Sequence, residues 1–340
     1  MNTIEKCLEK ILNGEDLSFT EAQELALQSA PEDLYKGADN LRARLHNNRL
    51  DLCSIVNAKS GICTEDCRFC AQSMHYDAEV TNYEQVNTAH AVLLAKDNEK
   101  YGVRRFSLVT AGRSVSEKQL GELQKIYQEL QKHTKLSLCA SMGFLTAQKA
   151  LQLKEMGVSR YHCNLETSRS YFPQICTSHS WEDKSTTIKI AQNAGLEVCS
   201  GGIIGMGESF EQRLELAFEL KKLNILSVPI NILSPINNTP FADLKPLSTT
   251  EILTTVAMFR FILPKAVIRI AGGRDILGDQ QHRLFTSGAN GSIVGNYLTT
   301  LGKGLEADVK MFQMLGFEIQ GHNHISKAAP LAPPQGEQCR

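Results

Sequence analysis

Eight short apolar runs, at 50–57, 105–110, 136–141, 160–165, 196–201, 227–233, 267–271 and 292–297, constrain this chain more than any other feature. Each has the length of a strand, and helical stretches separate them. That alternation is the rhythm of strand-helix units around a parallel sheet, at intervals close to the roughly 30 residues such a unit needs. Eight units close on themselves, so the expected class is α/β, a (β/α)8 TIM-type barrel. Residues 1–48 read as an N-terminal helical extension, in which Ser18 and Glu21 form a capping box. Pro31 suits the first turn of a helix carrying Leu34, Ala38, Leu41 and Leu45 on one face. The expected division is 1–48 extension, 49–320 barrel and 321–340 a proline-rich tail that does not pack.

Ten cysteines in a chain of this length, with no basic-plus-apolar leader, point to metal or redox chemistry in the cytoplasm rather than to disulfides. No uncharged apolar run reaches membrane-spanning length, and a net charge of -1 with scattered basic residues makes no case for nucleic acid or membrane as a partner. Cys63, Cys67 and Cys70 stand at C-x3-C-x2-C spacing just after the first run. Three thiolates without a near fourth form an incomplete cage. A zinc site, the alternative on spacing, normally closes with four ligands, whereas a cubane iron-sulfur cluster takes one ligand per iron and leaves one iron open. The spacing, with Phe69 directly before the last cysteine, resembles the signature of radical S-adenosylmethionine enzymes. The resemblance implies a 4Fe-4S cluster on these cysteines, whose open iron chelates S-adenosyl-L-methionine for cleavage to a 5'-deoxyadenosyl radical.

In a barrel of this kind the chemistry sits at the C-terminal ends of the strands. Cys139 lies on the third run, Cys163, Asn164 and Glu166 on or after the fourth, Cys199 on the fifth, Asn231 on the sixth and Arg269 on the seventh. One buried cysteine is ordinary packing; three on consecutive strands point to a second metal cluster or to a cysteine-lined core. An arginine in a barrel interior needs a negative partner, which a cluster supplies. Gly201, Gly202, Gly205 and Gly207 lead from the fifth run into a helix, and their lack of side chains permits close approach to a ligand. Beside the cysteine motif they fit a wall for the adenosine part of S-adenosylmethionine.

Several stretches together resemble the biotin synthase family across about residues 50–320. They are Cys63 to Ser73, Asn164 to Ser168, Val198 to Ile203, Pro229 to Asn231, Ile268 to Ile270 and Val294 to Thr300. The resemblance implies a sulfurtransferase that inserts sulfur between C9 and C6 of dethiobiotin, with no acid or base among the catalytic residues, because radical chemistry acts on unactivated carbons. It implies cofactor contacts from Gln72, Ser73, Ala111, Gly112, Gly201, Gly202 and Ile203. Asn164 and Glu166 would meet the ribose or the substrate, and Asn164 with Asn231 would bind the ureido ring, which needs donors and acceptors. It further implies an auxiliary iron-sulfur cluster as sulfur donor, 2Fe-2S or of altered nuclearity. Cys139, Cys199 and Arg269 match three of its four usual ligands, while Ser107 stands where the fourth, a cysteine, is usual. Cys163 and Cys176 are the candidate replacements. Strand alternation forbids Cys163 and Asn164 from both facing inward unless a bulge separates them, and without one Cys176 is the better candidate. The family also implies an electron donor such as flavodoxin or ferredoxin and a homodimer. Two alternatives stand beside this reading: another radical barrel enzyme, and an iron-sulfur scaffold or sulfur carrier without turnover.

Overall fold

Asn2 with Glu5 caps α1 (Thr3–Leu12), Ser18 with Glu21 caps α2 (Phe19–Gln28), and Pro31 opens α3 (Pro31–His46). In each box the side chain and the backbone amide bond reciprocally, so two orphan donors of the first turn are satisfied. Leu34, Ala38 and Leu41 of α3 are buried, but Leu45 is 39% exposed. Arg42 takes the place inside, paired with Asp39 and stacked over the Phe317 ring, because its long stem packs while its head stays bonded.

The computed structural model describes residues 2–295 and 304–319. After α3 come β1 (Arg49–Lys59), α4 (Thr88–Lys100), β2 (Arg105–Thr110), α5 (Glu117–His133), β3 (Ser137–Ser141), α6 (Ala147–Glu155) and β4 (Val158–His162). The second half holds α7 (Trp181–Asn193), β5 (Glu197–Cys199), β6 (Gly202–Ile204), α8 (Phe210–Lys222), β7 (Ser227–Ile232), α9 (Thr249–Ile262) and β8 (Val267–Ile270). Then follow β9 (Gly291–Ile293), α10 (Leu305–Met314) and β10 (Glu318–Ile319). Every pairing between these strands is parallel; β1 to β5 and β7 to β9 follow one another in order, β6 pairs β7, β10 adds to β1, and β9 returns to β1, so the sheet closes as an eight-staved barrel with helices outside. Along β1, Leu50, Leu52, Val56 and Ala58 are buried in the core between sheet and helices, while Asp51, Cys53 and Ile55 alternate with them on the inner face.

The fifth stave is broken. The run expected over 196–201 divides into β5, paired with β4 and β7, and β6, paired with β7 alone. Pro229 of β7 has no amide hydrogen to donate, which interrupts the ladder opposite Gly201. The fourth run is shorter than expected: β4 stops at His162, and Glu166 adopts a left-handed backbone, φ 71°, that turns the chain away. The eighth run begins as β9, but Asn296 and Tyr297 lie outside the described residues, as does the tail 321–340. Helix α3 packs on α9, and α2 on α8 and α9. Among the described residues no helix is long and apolar enough to cross a membrane.

Candidate active site

The loop after β1 carries Cys63, Cys67 and Cys70 to the C-terminal rim of the barrel, where all three border one cavity of about 300 Å³. The loop is held by its own backbone: the Cys63 amide donates to the Gln72 carbonyl (2.9 Å), and the Met74 amide to the Cys63 carbonyl (2.8 Å). Gln72 accepts from the Gly61 amide (3.0 Å) and Ser73 donates to the Glu65 carbonyl (2.6 Å), so both side chains shape the loop. Burial pushes the Cys70 thiol up to about 11.

Glu65 and Asp66, inside the motif, tie it to the segment after β4. Asp66 accepts from the Thr177 and Ser178 amides, both at 2.9 Å, and Glu65 accepts from Ser178 Oγ (2.8 Å), Arg113 (3.1 Å) and His179 Nδ1 (2.5 Å). Burial alone would raise both carboxyls, but these hydrogen bonds, led by Ser178 and His179 on Glu65 and by Thr177 and Ser178 on Asp66, hold them below the ordinary range.

Asn164, Glu166, Asn231, Ala111 and Gly112 all line the same cavity. Asn164 Oδ1 accepts from the Gly201 amide (3.2 Å). Asn231 accepts from the Gly272 amide (3.0 Å) and donates to the Gly202 carbonyl (3.2 Å). Glu166 is raised by burial despite Lys184, whose Nζ is 3.8 Å from Oε1; its Oε2 is buried with no partner. The expected ligand wall of Gly201, Gly202 and Ile203 does not border the cavity. A Cβ on Gly201 would lie 1.8 Å from the Pro229 carbonyl oxygen, and one on Gly202 would lie 2.3 Å from that of Glu166. These glycines therefore make room for neighbouring backbone, which the repeated close approach of strands demands.

Cys139, Cys199 and Arg269 are fully buried. Ser141 and Ala271 line the cavity, and Cys139 and Arg269 stand two residues earlier on the same strands, one inward position deeper. Cys199 Sγ accepts from Ser227 Oγ (3.2 Å), and Arg269 donates to Asp51 Oδ1 (2.8 Å) while its Nε has no partner. Ser107 is likewise buried, with an unpartnered Oγ.

The two replacement ligands go elsewhere. Cys176 sits beside Cys67, with the sulfurs 3.8 Å apart, and bonds Asp66 and His179 at 3.1 and 3.3 Å. The turn Phe172–Gln174 before it packs onto the rim together with Met206, Leu233 and Phe241, which keeps Cys176 out of the barrel interior. Cys163 borders the cavity but directs its thiol at the Lys184 carbonyl of α7 (3.9 Å). Its predecessor His162 takes the inward place opposite Cys199, as alternation requires. Burial, and then Arg160, Arg269 and Arg105, push the His162 ring down to about 3, so it is neutral, and its Nε2 is unpartnered. His162, Lys184, His179 and Arg113 are the basic residues of the cavity that sequence reasoning missed. The only signal was the acidic pair within the cysteine motif, which needed partners.

The residues fit the groups that the motif implies. Three cysteines share one cavity with an unpaired carboxylate oxygen, and an unsatisfied guanidinium nitrogen lies near the buried Cys199.

Residues 58–220 match the Radical SAM superfamily, and 229–318 match the Biotin and Thiamin Synthesis associated domain. The fold is similar to that of methylornithine synthase, with a TM-score of 0.79 at 17% identity over 92% of this chain and 96% of that one. It is also similar to an FeFe-hydrogenase maturase from Carboxydothermus hydrogenoformans, with a TM-score of 0.77 at 18% identity over 92% and 78% of the two chains. Barrel, loop and family model together define a radical S-adenosylmethionine enzyme. Biotin synthase of Desulfotalea psychrophila is 56% identical over 319 residues, 93% of this chain and 95% of that one. That of Acetivibrio thermocellus is 50% identical over 311 residues, 91% and 97%. The chain belongs to the biotin synthase family.

Proposed function

We propose that this chain closes the thiophane ring of biotin by inserting sulfur between C9 and C6 of dethiobiotin. One observation carries the reading: three cysteines border the rim side of one cavity, and Cys139, Cys199 and Arg269 are buried in the barrel interior beneath its floor. When bound, a 4Fe-4S cluster with S-adenosyl-L-methionine at the rim supplies a radical able to take hydrogen from unactivated carbon, and an auxiliary iron-sulfur cluster below supplies sulfur.

The residues of the chain bind, orient and exclude water. Cys63, Cys67 and Cys70 hold the first cluster, and the Glu65 and Asp66 hydrogen bonds fix the loop that presents them. Glu166 brings a buried oxygen free to accept a ribose hydroxyl. Asn164, whose oxygen accepts from Gly201 and whose amide faces Glu166, has a second amide hydrogen to donate, and Asn231 retains acceptor capacity; a ureido ring needs both. Ile55, Val109, Phe144, Pro229 and Ile293 give the cavity apolar walls that keep water from a reactive carbon. An electron donor of flavodoxin or ferredoxin type, a cytoplasmic setting and a homodimer belong to the same reading and rest on the family resemblance.

The test is an anaerobic reaction of reconstituted protein with S-adenosylmethionine, dethiobiotin and a reductant, followed by mass spectrometry. Biotin together with 5'-deoxyadenosine is expected. 5'-Deoxyadenosine without biotin would move the substrate elsewhere, and neither product from fully loaded protein would favour a scaffold. Size-exclusion chromatography with light scattering checks the dimer.

A further inference from the structure

A parallel barrel of eight strands fills its interior in layers, each made of four inward side chains from alternate strands. The strand registers identify one such layer residue by residue. Cys53 of β1 lies opposite Arg105, and Arg105 opposite Ser137; two residues on is Cys139. Cys139 lies opposite Arg160, and Arg160 opposite Glu197; two residues on is Cys199. Cys199 lies opposite Ser227, and Ser227 opposite Val267; two residues on is Arg269. Arg269 lies opposite Gly291, and Gly291 opposite Asp51; two residues on is Cys53 again. The circuit closes, so Cys53, Cys139, Cys199 and Arg269 are the four members of one layer. All four are fully buried. Ser107 belongs to the next layer towards the rim, where the same stepping joins it to His162, Pro229 and Ile293, all of which line the cavity.

We infer that Cys53 supplies the thiolate that position 107 lacks, so that the auxiliary cluster is held by Cys53, Cys139, Cys199 and Arg269 from a single layer of the barrel. The assignment rests on the two-cluster reading above and deepens it. Such a layer is ordinarily filled by Val, Ile and Leu. Three thiols and a guanidinium there would be poor packing without a purpose, since branched apolar side chains fill the space better. The charges around the layer point the same way. Arg105 and Arg160 approach a shared partner, Glu197, at 3.4 and 2.8 Å, and Arg269 pairs with Asp51. Three guanidinium groups thus face two carboxylates, and an electropositive interior stabilises thiolates and bound sulfide. Cys53 lies near enough to Cys199 and Cys139 for their charges to bear on one another, whereas the charged groups that bear on Cys163 are Lys184 and Glu166. On binding iron the three thiols each release a proton.

The experiment uses full-length protein in which Cys63, Cys67 and Cys70 are replaced by alanine, so that any remaining iron belongs to the auxiliary site. After anaerobic reconstitution, iron, acid-labile sulfide and the Mössbauer spectrum are measured. This background should retain iron and sulfide. Adding Cys53→Ser should weaken iron retention about tenfold or more and abolish the auxiliary spectrum, as loss of a ligand does. Adding Cys163→Ala or Cys176→Ala instead should leave both unchanged, and Ser107→Cys beside Cys53→Ser should restore binding. Circular dichroism melts confirm the fold of each variant, and Cys53→Ala serves in place of Cys53→Ser if serine destabilises the barrel. Full iron, sulfide and spectrum without Cys53 would overturn this ligand assignment and leave two clusters standing; no iron in the alanine background would overturn the two-cluster reading together with it.

Discussion

At Glu166 a non-glycine residue holds a left-handed backbone, φ 71°, and a buried carboxylate oxygen has no partner. Such a conformation costs about 1–2 kcal/mol relative to the right-handed one, and it is kept where the rest of the fold dictates it. Strain and binding separate by substitution. Glu166→Gly should melt no earlier than the parent chain, because glycine relieves the strain, while its affinity for S-adenosylmethionine falls about tenfold, the value of one hydrogen bond to a charged group. Equilibrium dialysis against the loaded protein checks this, and unchanged affinity would remove Glu166 from the site. Gly201 shows the opposite economy of space. With the Pro229 carbonyl oxygen 1.8 Å from where a Cβ would stand, Gly201→Ala should destabilise the barrel by about 3 kcal/mol through overpacking, read as a lower urea midpoint.

Between elements, α3 docks on α9 through buried apolar residues, through Tyr35 bonded to Thr250 and Thr254, and through one neutral ring. His46 Nε2 at the end of α3 lies between Arg260 Nη1 of α9 (2.9 Å) and the Pro264 carbonyl oxygen (2.8 Å), where a second positive charge beside the guanidinium would be repelled. Burial, and then the Arg260 charge, push the ring from 6.5 down to about 4. Its folded value is therefore below its unfolded one. Between these values the unfolded chain binds more protons than the folded one, so the contribution is complete above pH 6.5 and is lost as the pH falls towards 4. Urea melts across this window should show a smaller loss of midpoint for His46→Gln than for the parent chain. Equal losses would show that other groups govern the acid limit.

Across the whole molecule, the sheet closes from β9 back to β1 with one break at the fifth stave, which leaves the barrel with no free edge to be covered by metal. Burial also raises the Cys53 thiol, to about 11, and the Cys139 thiol, so both stay neutral in the metal-free chain and tolerate the interior. Metal-free protein should accordingly be folded by circular dichroism. Loading with iron and sulfide should then raise its melting temperature by about 5 °C or more, since a ligand at a thousandfold excess over its Kd adds about 4 kcal/mol to the native state. An anaerobic melt with and without loading decides it, and an unfolded metal-free chain would mean that the clusters nucleate the barrel.

The eight staves were legible in the linear chain because each strand is a local pattern: apolar residues against the helices, a turn or helix after every run. The rim cysteines were legible for the same reason, being close together in the chain. Cys53 was present in the first run and invisible there, since its meaning comes from its level in the barrel. That level is set by the stagger of the strands, a property of the closed sheet that no single segment contains. The placement of Cys176 beside Cys67 was not legible for the matching reason: a loop position says nothing about which side of the rim the loop folds over until Phe172, Met206 and Phe241 pack. Sequence alone determined the fold class, the first cluster motif and the family. Only the tertiary structure decided which buried thiols meet, because side chains far apart in the chain are brought together by register and packing.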